Sequence, residues 1–192
     1  MRELIHNAEY KDQIISEYKG NPLIEALPEI ASSEEVVSKL ANFPSYKKEE
    51  RQLDNQYRAH LVGRLYDVFQ PLMIHLDLES RISRVIRQGY VARNVLEKSF
   101  VSNNYRSTAG SFTLLGVSGM GKTTVVNRIL SMYPQVIVHS KYKDIPLSRY
   151  QVVYLRLECS YDGSIKGLCL SFFSKVDEIL GTDYYSRFGS GK

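Results

Sequence analysis

The stretch Gly116-Val117-Ser118-Gly119-Met120-Gly121-Lys122-Thr123, entered from Phe112-Thr113-Leu114-Leu115, constrains the fold more than any other part of the chain. Its spacing is G-x-x-x-x-G-K-[ST] between a strand-like and a helix-like segment, the pattern of a phosphate-binding loop. Glycines at 116, 119 and 121 let the backbone curl tightly enough to aim several N–H groups at phosphate oxygens. Lys122 brings a point charge to the β- and γ-phosphates and is the catalytic candidate. The Thr123 hydroxyl stands where an inner-shell Mg²⁺ ligand is needed, and the following helix turns its positive end toward the anion. Ser118, Gly119, Met120, Gly121, Lys122 and Thr123 therefore predict a site for a nucleoside triphosphate with Mg²⁺.

Around this loop the pattern from Ser111 onward is α/β. A strand over 112–115 is expected before the loop and a helix over 122–133 after it, with Val125, Val126, Ile129 and Leu130 on its apolar face. Pro134 stops the helix. Val136-Ile137-Val138 reads as a short apolar stretch, followed by a polar loop holding Lys141, Lys143 and Arg149. A second strand is expected over 151–159 and a helix over 164–180, with Gly181 as its C-cap. Alternating strands and helices predict a mainly parallel sheet with nucleotide at the carboxyl ends of its strands.

The front of the chain reads as helical. A short amphipathic helix is expected over 2–19, and the prolines in Asn21-Pro22-Leu23-Ile24-Glu25-Ala26-Leu27-Pro28 predict an extended segment laid against another surface. Ser32 and Glu35 form a predicted capping box before Val36, Val37 and Leu40. Residues 47–69 read as one long helix, charged first and apolar later, and 77–98 as another. The latter carries Ile82, Val85 and Ile86 on one stripe and Arg81, Arg84 and Arg87 on a broad second side. Residues 99–110 read as a loop. The expected division is a helical extension over 1–75 and the first part of the phosphate-loop domain over 76–192.

Charge and cysteine narrow the classes further. The net charge of +4 is uneven: residues 1–60 sum to −3, 61–110 to +3 and 111–192 to +4, a basic nucleotide half compatible with nucleic acid. No apolar run has the length of a membrane span. The first residues lack the apolar centre of a signal peptide, so Cys159 and Cys169 are expected as reduced interior thiols of a cytoplasmic protein. Hydrolysis would require an acid at the end of a later strand. Glu158 alone has that placement, and Arg156 inside its strand argues for a structural role. The chain reads as the front part of a longer protein.

Several stretches taken together carry a resemblance. They are residues 21–28, Phe69-Gln70-Pro71-Leu72, Arg81-Ile82-Ser83, Ile86-Arg87-Gln88-Gly89-Tyr90-Val91-Ala92-Arg93-Asn94, the phosphate loop with Tyr133-Pro134-Gln135-Val136-Ile137, and residues 151–159 with Asp162-Gly163-Ser164-Ile165-Lys166 and Phe172-Phe173. This set resembles the TnsC family, TniB-related AAA+ ATP-dependent regulators of bacterial cut-and-paste DNA transposition, from about residue 8 to 188. The resemblance implies ATP as the nucleotide, assembly of the ATP-bound protein on double-stranded DNA as a ring or filament, and a link between a target-selector protein and transposase subunits. It adds Thr124 to the phosphate loop and makes Ile86, Arg87 and Tyr90 candidates for flanking the adenine. Lys166, Lys141 and Lys143 become the DNA-contact candidates. The family's Walker B acids, sensor residues, arginine finger and helical lid are expected beyond Lys192.

Two alternatives compete. One is a protein-interaction module in which 21–28 and the helices over 32–69 dock the transposase or target selector while the nucleotide site stays passive. The other is a small-molecule kinase, which lacks here a clear substrate region or lid arginines and has no use for a long helical front.

Overall fold

The computed structural model describes residues 5–91, 93–96 and 110–189. The chain forms two compact units, one of residues 11–132 and one combining residues 1–10 with 133–192. Neither division falls at residue 75.

In the unit of residues 11–132, three helices share a core: α2 (Ser33–Leu40), α4 (Met73–Val91) and α5 (Lys122–Leu130). Each contributes apolar residues four apart, Val36 with Leu40, Leu78 with Ile82 and Val125 with Ile129, and these six form one buried cluster. A four-residue step places both members of a pair on one helix face. Burial of such a side chain stabilises the fold by about 1.5–3 kcal/mol. The predicted capping box opens α2: Ser32 Oγ accepts from the Glu35 N–H at 3.2 Å, and a Glu35 carboxylate oxygen accepts from the Ser32 N–H at 2.8 Å.

Residues 21–28 depart from the extended conformation expected of them. Asn21 caps a single helical turn, α1 (Pro22–Glu25), by accepting the Leu23 N–H at 3.1 Å, and Pro22 sits where a helix tolerates proline. The segment is buried against its own chain, with Ile24 and Leu27 at 0% and 1% exposure. Asn21 Nδ2 donates to the Tyr90 carbonyl at 2.8 Å, which ties α1 to the end of α4. That helix begins before the expected residue 77 and runs on through Gly89 and Tyr90 to Val91.

The long helix expected over 47–69 is replaced by three short pieces: a 3₁₀ helix at Lys48–Gln52, α3 (Asn55–Leu61) and a second 3₁₀ helix at Val62–Asp67, none with a buried residue. Asp54 interrupts the pattern, and the apolar residues meet no core that would reward a continuous helix. The neck of this excursion is tied. Asn42 and Phe69 exchange backbone hydrogen bonds at 3.0 and 2.8 Å, and the Arg128 guanidinium of α5 lies 4.5 Å from the centre of the Phe69 ring.

The second unit holds a mixed sheet in the order β1 (Ile5–Asn7), β2 (Val136–Tyr142) and β3 (Ile145–Val152). β1 pairs with β2 in parallel, and β2 with β3 antiparallel. Two expectations are corrected here. Residues 5–7 are a strand and not part of a helix over 2–19, because pairing with β2 supplies backbone partners that a short isolated helix lacks. The expected polar loop after Val138 is instead most of a β-hairpin, turning at Lys143 and Asp144 with Lys143 at φ 52°. The strand expected over 151–159 accordingly begins earlier and ends at Val152.

α6 (Ile165–Leu180) follows the expected helix closely, capped by Ser164 at its start and by Gly181, at φ 66°, at its end. Gly181 takes the left-handed backbone that glycine adopts without strain. Residues 184–188, where no pattern was evident, form α7 (Tyr184–Phe188). Asp177 of α6 receives the Tyr184 and Tyr185 N–H groups at 2.8 and 2.7 Å. Desolvation pushes this carboxyl up, but those N–H groups and the Thr182 hydroxyl together hold it below the usual range. Cys159 and Cys169 are exposed, which corrects their expected interior position. Among the described residues no helix is long and apolar enough to cross a membrane. The α/β arrangement is consistent with part of a P-loop fold, its sheet mixed and not purely parallel.

Candidate functional site: the glycine-rich loop at the start of α5

The loop joins the core through the residues on either side of it. Behind it, Leu114 packs partly buried against the α2–α4–α5 cluster; ahead, Val125 and Ile129 fix α5 in the same cluster. Residues 112–115 form no strand, contrary to expectation. No partner strand pairs with them among the described residues, and an unpaired strand leaves its backbone groups without acceptors or donors. Of the loop expected over 99–110, only Gly110 is described.

Between these anchors the backbone makes two left-handed steps, Gly119 at φ 84° and Gly121 at φ 80°. Both need glycine, since a side chain there strains the backbone. Gly121 is also the N-cap of α5 and gives its first turn no side-chain acceptor. The N–H groups of that turn are thus left to a ligand, and the helix dipole favours an anion among them. Lys122 folds back over the loop, its Nζ donating to the carbonyl oxygens of Gly116 and Val117 at 2.8 Å each. Those two bonds tie the ammonium back to the first residues of the loop. The thioether of Met120 covers Gly116 so closely that a Cβ there would lie 2.9 Å from the sulfur.

Ser118 in the loop and Thr123 and Thr124 in the first turn of α5 are exposed residues. This donor set fits a triphosphate with Mg²⁺: backbone N–H groups and an ammonium for phosphate oxygens, and hydroxyl oxygens for a hard cation. It contains no carboxylate, so the loop can hold phosphates but has no group of its own to orient an attacking water.

The structure places the three base-flanking candidates on the last turns of α4, within the same unit. Ile86 is partly buried against the core cluster. Tyr90 lends its carbonyl to Asn21. Arg87 is 1% exposed, and its guanidinium donates to Ser83 Oγ and to the Pro28 carbonyl, both at 2.5 Å. Its Nε has no partner among the described residues. The three arginines expected on one side therefore part company: Arg81 pairs with Asp77 at 2.7 Å on the surface, Arg84 bonds the Ser80 carbonyl, and Arg87 is interior. Sequence reading missed the buried polar stripe Glu79–Ser83–Arg87 on α4. Its four-residue spacing was visible, but nothing in it separates a buried polar stripe from a solvated one.

The remaining candidates lie in the other unit. Lys141, exposed on β2, pairs with Asp144 at 3.3 Å across the hairpin turn. Lys143 Nζ lies 5.0 Å from the centre of the Tyr142 ring. Lys166 is exposed in the first turn of α6. Glu158 lies outside any strand, exposed, beside Arg156 on the wall of a polar cavity of about 540 Å³.

Comparison with known proteins agrees with this geometry at the level of family. No match was found among curated proteins. Residues 105–187, which include the whole loop and α5, match the AAA domain family, and that match supports a P-loop ATPase family of the AAA type.

Proposed function

We propose that this chain is the ATP-binding part of a regulator of DNA transposition, one that assembles on target DNA when ATP-bound and links a target selector to the transposase. The observation that carries the nucleotide half of this reading is the loop itself: Lys122 folded back onto the Gly116 and Val117 carbonyls, left-handed glycines at 119 and 121, and an α5 N-cap without a side chain. In this role residues 118–124 embrace the phosphates, and Thr123 faces Mg²⁺, which neutralises phosphate charge when bound. Ile86 and Tyr90 on α4 flank the base, and Arg87, first expected beside them, is committed to Ser83 and the Pro28 carbonyl in the interior. The AAA domain match supports the nucleotide role, and the resemblance of segments well outside the loop supports the transposition role. Lys166, Lys141 and Lys143 are the cations assigned to DNA phosphates.

The test is retention of duplex DNA by the protein with ATP and Mg²⁺, with ADP, and without nucleotide, across a salt series. ATP-dependent retention that weakens with salt, disappears in Lys122→Ala and shows a smaller salt slope in Lys166→Ala is the expected outcome. Retention independent of nucleotide and unchanged in Lys122→Ala contradicts the proposal.

A further inference from the structure

The excursion between Asn42 and Phe69 has no core of its own. Its neck is closed by the backbone pair and by Arg128, which also donates to the Leu40 and Asp67 carbonyls, yet α3 and both flanking 3₁₀ helices bury nothing. Tyr46, Tyr57, Val62, Leu65 and Tyr66 are each more than half exposed, Leu65 at 68% and Tyr66 at 91%. A segment fixed at its base but apolar on its outside is a surface built to be covered.

Within it lies an open cavity of about 350 Å³ whose apolar lining includes Pro44, Leu61, Leu65 and Val68. Four cations line it, Lys47, Arg51, Arg58 and Arg64, with a single carboxylate, Glu50. That carboxylate is already taken: Arg64 holds it with both terminal nitrogens, at 2.6 and 2.9 Å, and the pairing lowers the Glu50 pKa. Arg51 and Arg58 form no ion pair with a carboxylate among the described residues, the Arg58 side chain bonding the neutral Asn55, while the Lys47 charge also acts on Glu50. Glu49, Asp54 and Asp67 belong to the excursion but do not line the cavity.

We infer that the cavity between residues 44 and 68 is a docking site for an acidic amphipathic peptide segment of a partner protein, one apolar side chain seated on Leu61, Leu65 and Val68 and its carboxylates facing Lys47, Arg51 and Arg58. The apolar lining decides for a peptide over a nucleic-acid backbone. Phosphates need cations along a track, whereas these cations share the lining of one cavity with apolar side chains, and its volume takes a leucine or phenylalanine side chain. This inference stands apart from the nucleotide site, and ATP titration of the same variants separates the two.

The experiment uses fluorescence anisotropy with a labelled amphipathic helical peptide, Leu and Phe on one face and Glu on the other, and the full chain. Binding that is lost at least about tenfold in Leu65→Asp and in Arg51→Glu/Arg58→Glu, and absent for the same peptide with Lys replacing Glu, supports the inference. ATP affinity is expected to stay unchanged in both variants. Equal binding to the variants, equal binding of the Lys peptide, or displacement of the peptide by duplex DNA overturns it. So does failure of the peptide to bind at all, including the case where sedimentation shows Leu65→Asp dissociating a self-associated form, which assigns the face to a second copy.

Discussion

Residues 73–91 and 47–69 look alike on paper, runs of about five and about six turns mixing charge with recurrent leucine, isoleucine or valine. In the structure they differ completely. The first is one unbroken helix that buries Leu78 and Ile82 on the phosphate-loop helix; the second is three short pieces that bury nothing. Periodicity states which face a helix would bury, and only a facing surface makes that burial happen. α4 meets α2 and α5. The excursion is tied at its neck and meets no such surface among the described residues.

If that contrast is correct, the largest effect belongs to the core under the loop. Ile129, fully buried on α5, should lose about 2–5 kcal/mol of stability on truncation to alanine. Leu65→Ala in the excursion should change stability by no more than about 0.5 kcal/mol. Urea unfolding of both variants breaks the comparison if the two losses are similar. Next comes the α2 cap: Ser32→Ala should cost about 1 kcal/mol by freeing the Glu35 N–H, read in the same assay.

A smaller effect concerns the sheet. His139 of β2 is buried, with Nε2 paired to Gln151 Oε1 and Nδ1 to the Tyr10 hydroxyl, both at 2.8 Å. Burial lowers its pKa below the ordinary 6.5, with the Gln151 bond acting weakly the other way. The folded protein therefore binds this proton less readily than the unfolded chain. The stability contributed by neutral His139 is complete above about pH 6.5 and falls as pH drops through the folded value. His75, also lowered by burial, adds a dependence of the same sign in the other unit. Thermal unfolding at pH 8 and pH 5 should show a weaker acid penalty in His139→Gln than in the parent. An unchanged penalty removes His139 from the account.

What could be read in the sequence was local chemistry. The capping box at Ser32, the stop at Gly181 and the loop at 116–123 all specify their geometry within a few residues, and all appear as expected. What could not be read was pairing. Residues 136–152 alternate too weakly to announce a hairpin; β2 fixes β1 and β3 by backbone bonds that no side chain signals. Conversely, 112–115 has strand composition but no paired neighbour. Arg87 was visible as a charge beside the resemblance-bearing Tyr90, but its interior position depends on Pro28 arriving from sixty residues away. The candidate site was legible because its pattern is a contiguous loop; its surroundings were not, because they are assembled across the chain.

The central claim is that the loop at 116–123 holds a triphosphate through Lys122. Calorimetric titration of ATP, with and without Mg²⁺, into the parent protein and Lys122→Ala tests it directly. The account predicts saturable binding by the parent, strengthened by Mg²⁺, and at least about a tenfold loss in Lys122→Ala with an unchanged unfolding midpoint. Equal affinity in the two proteins would contradict it.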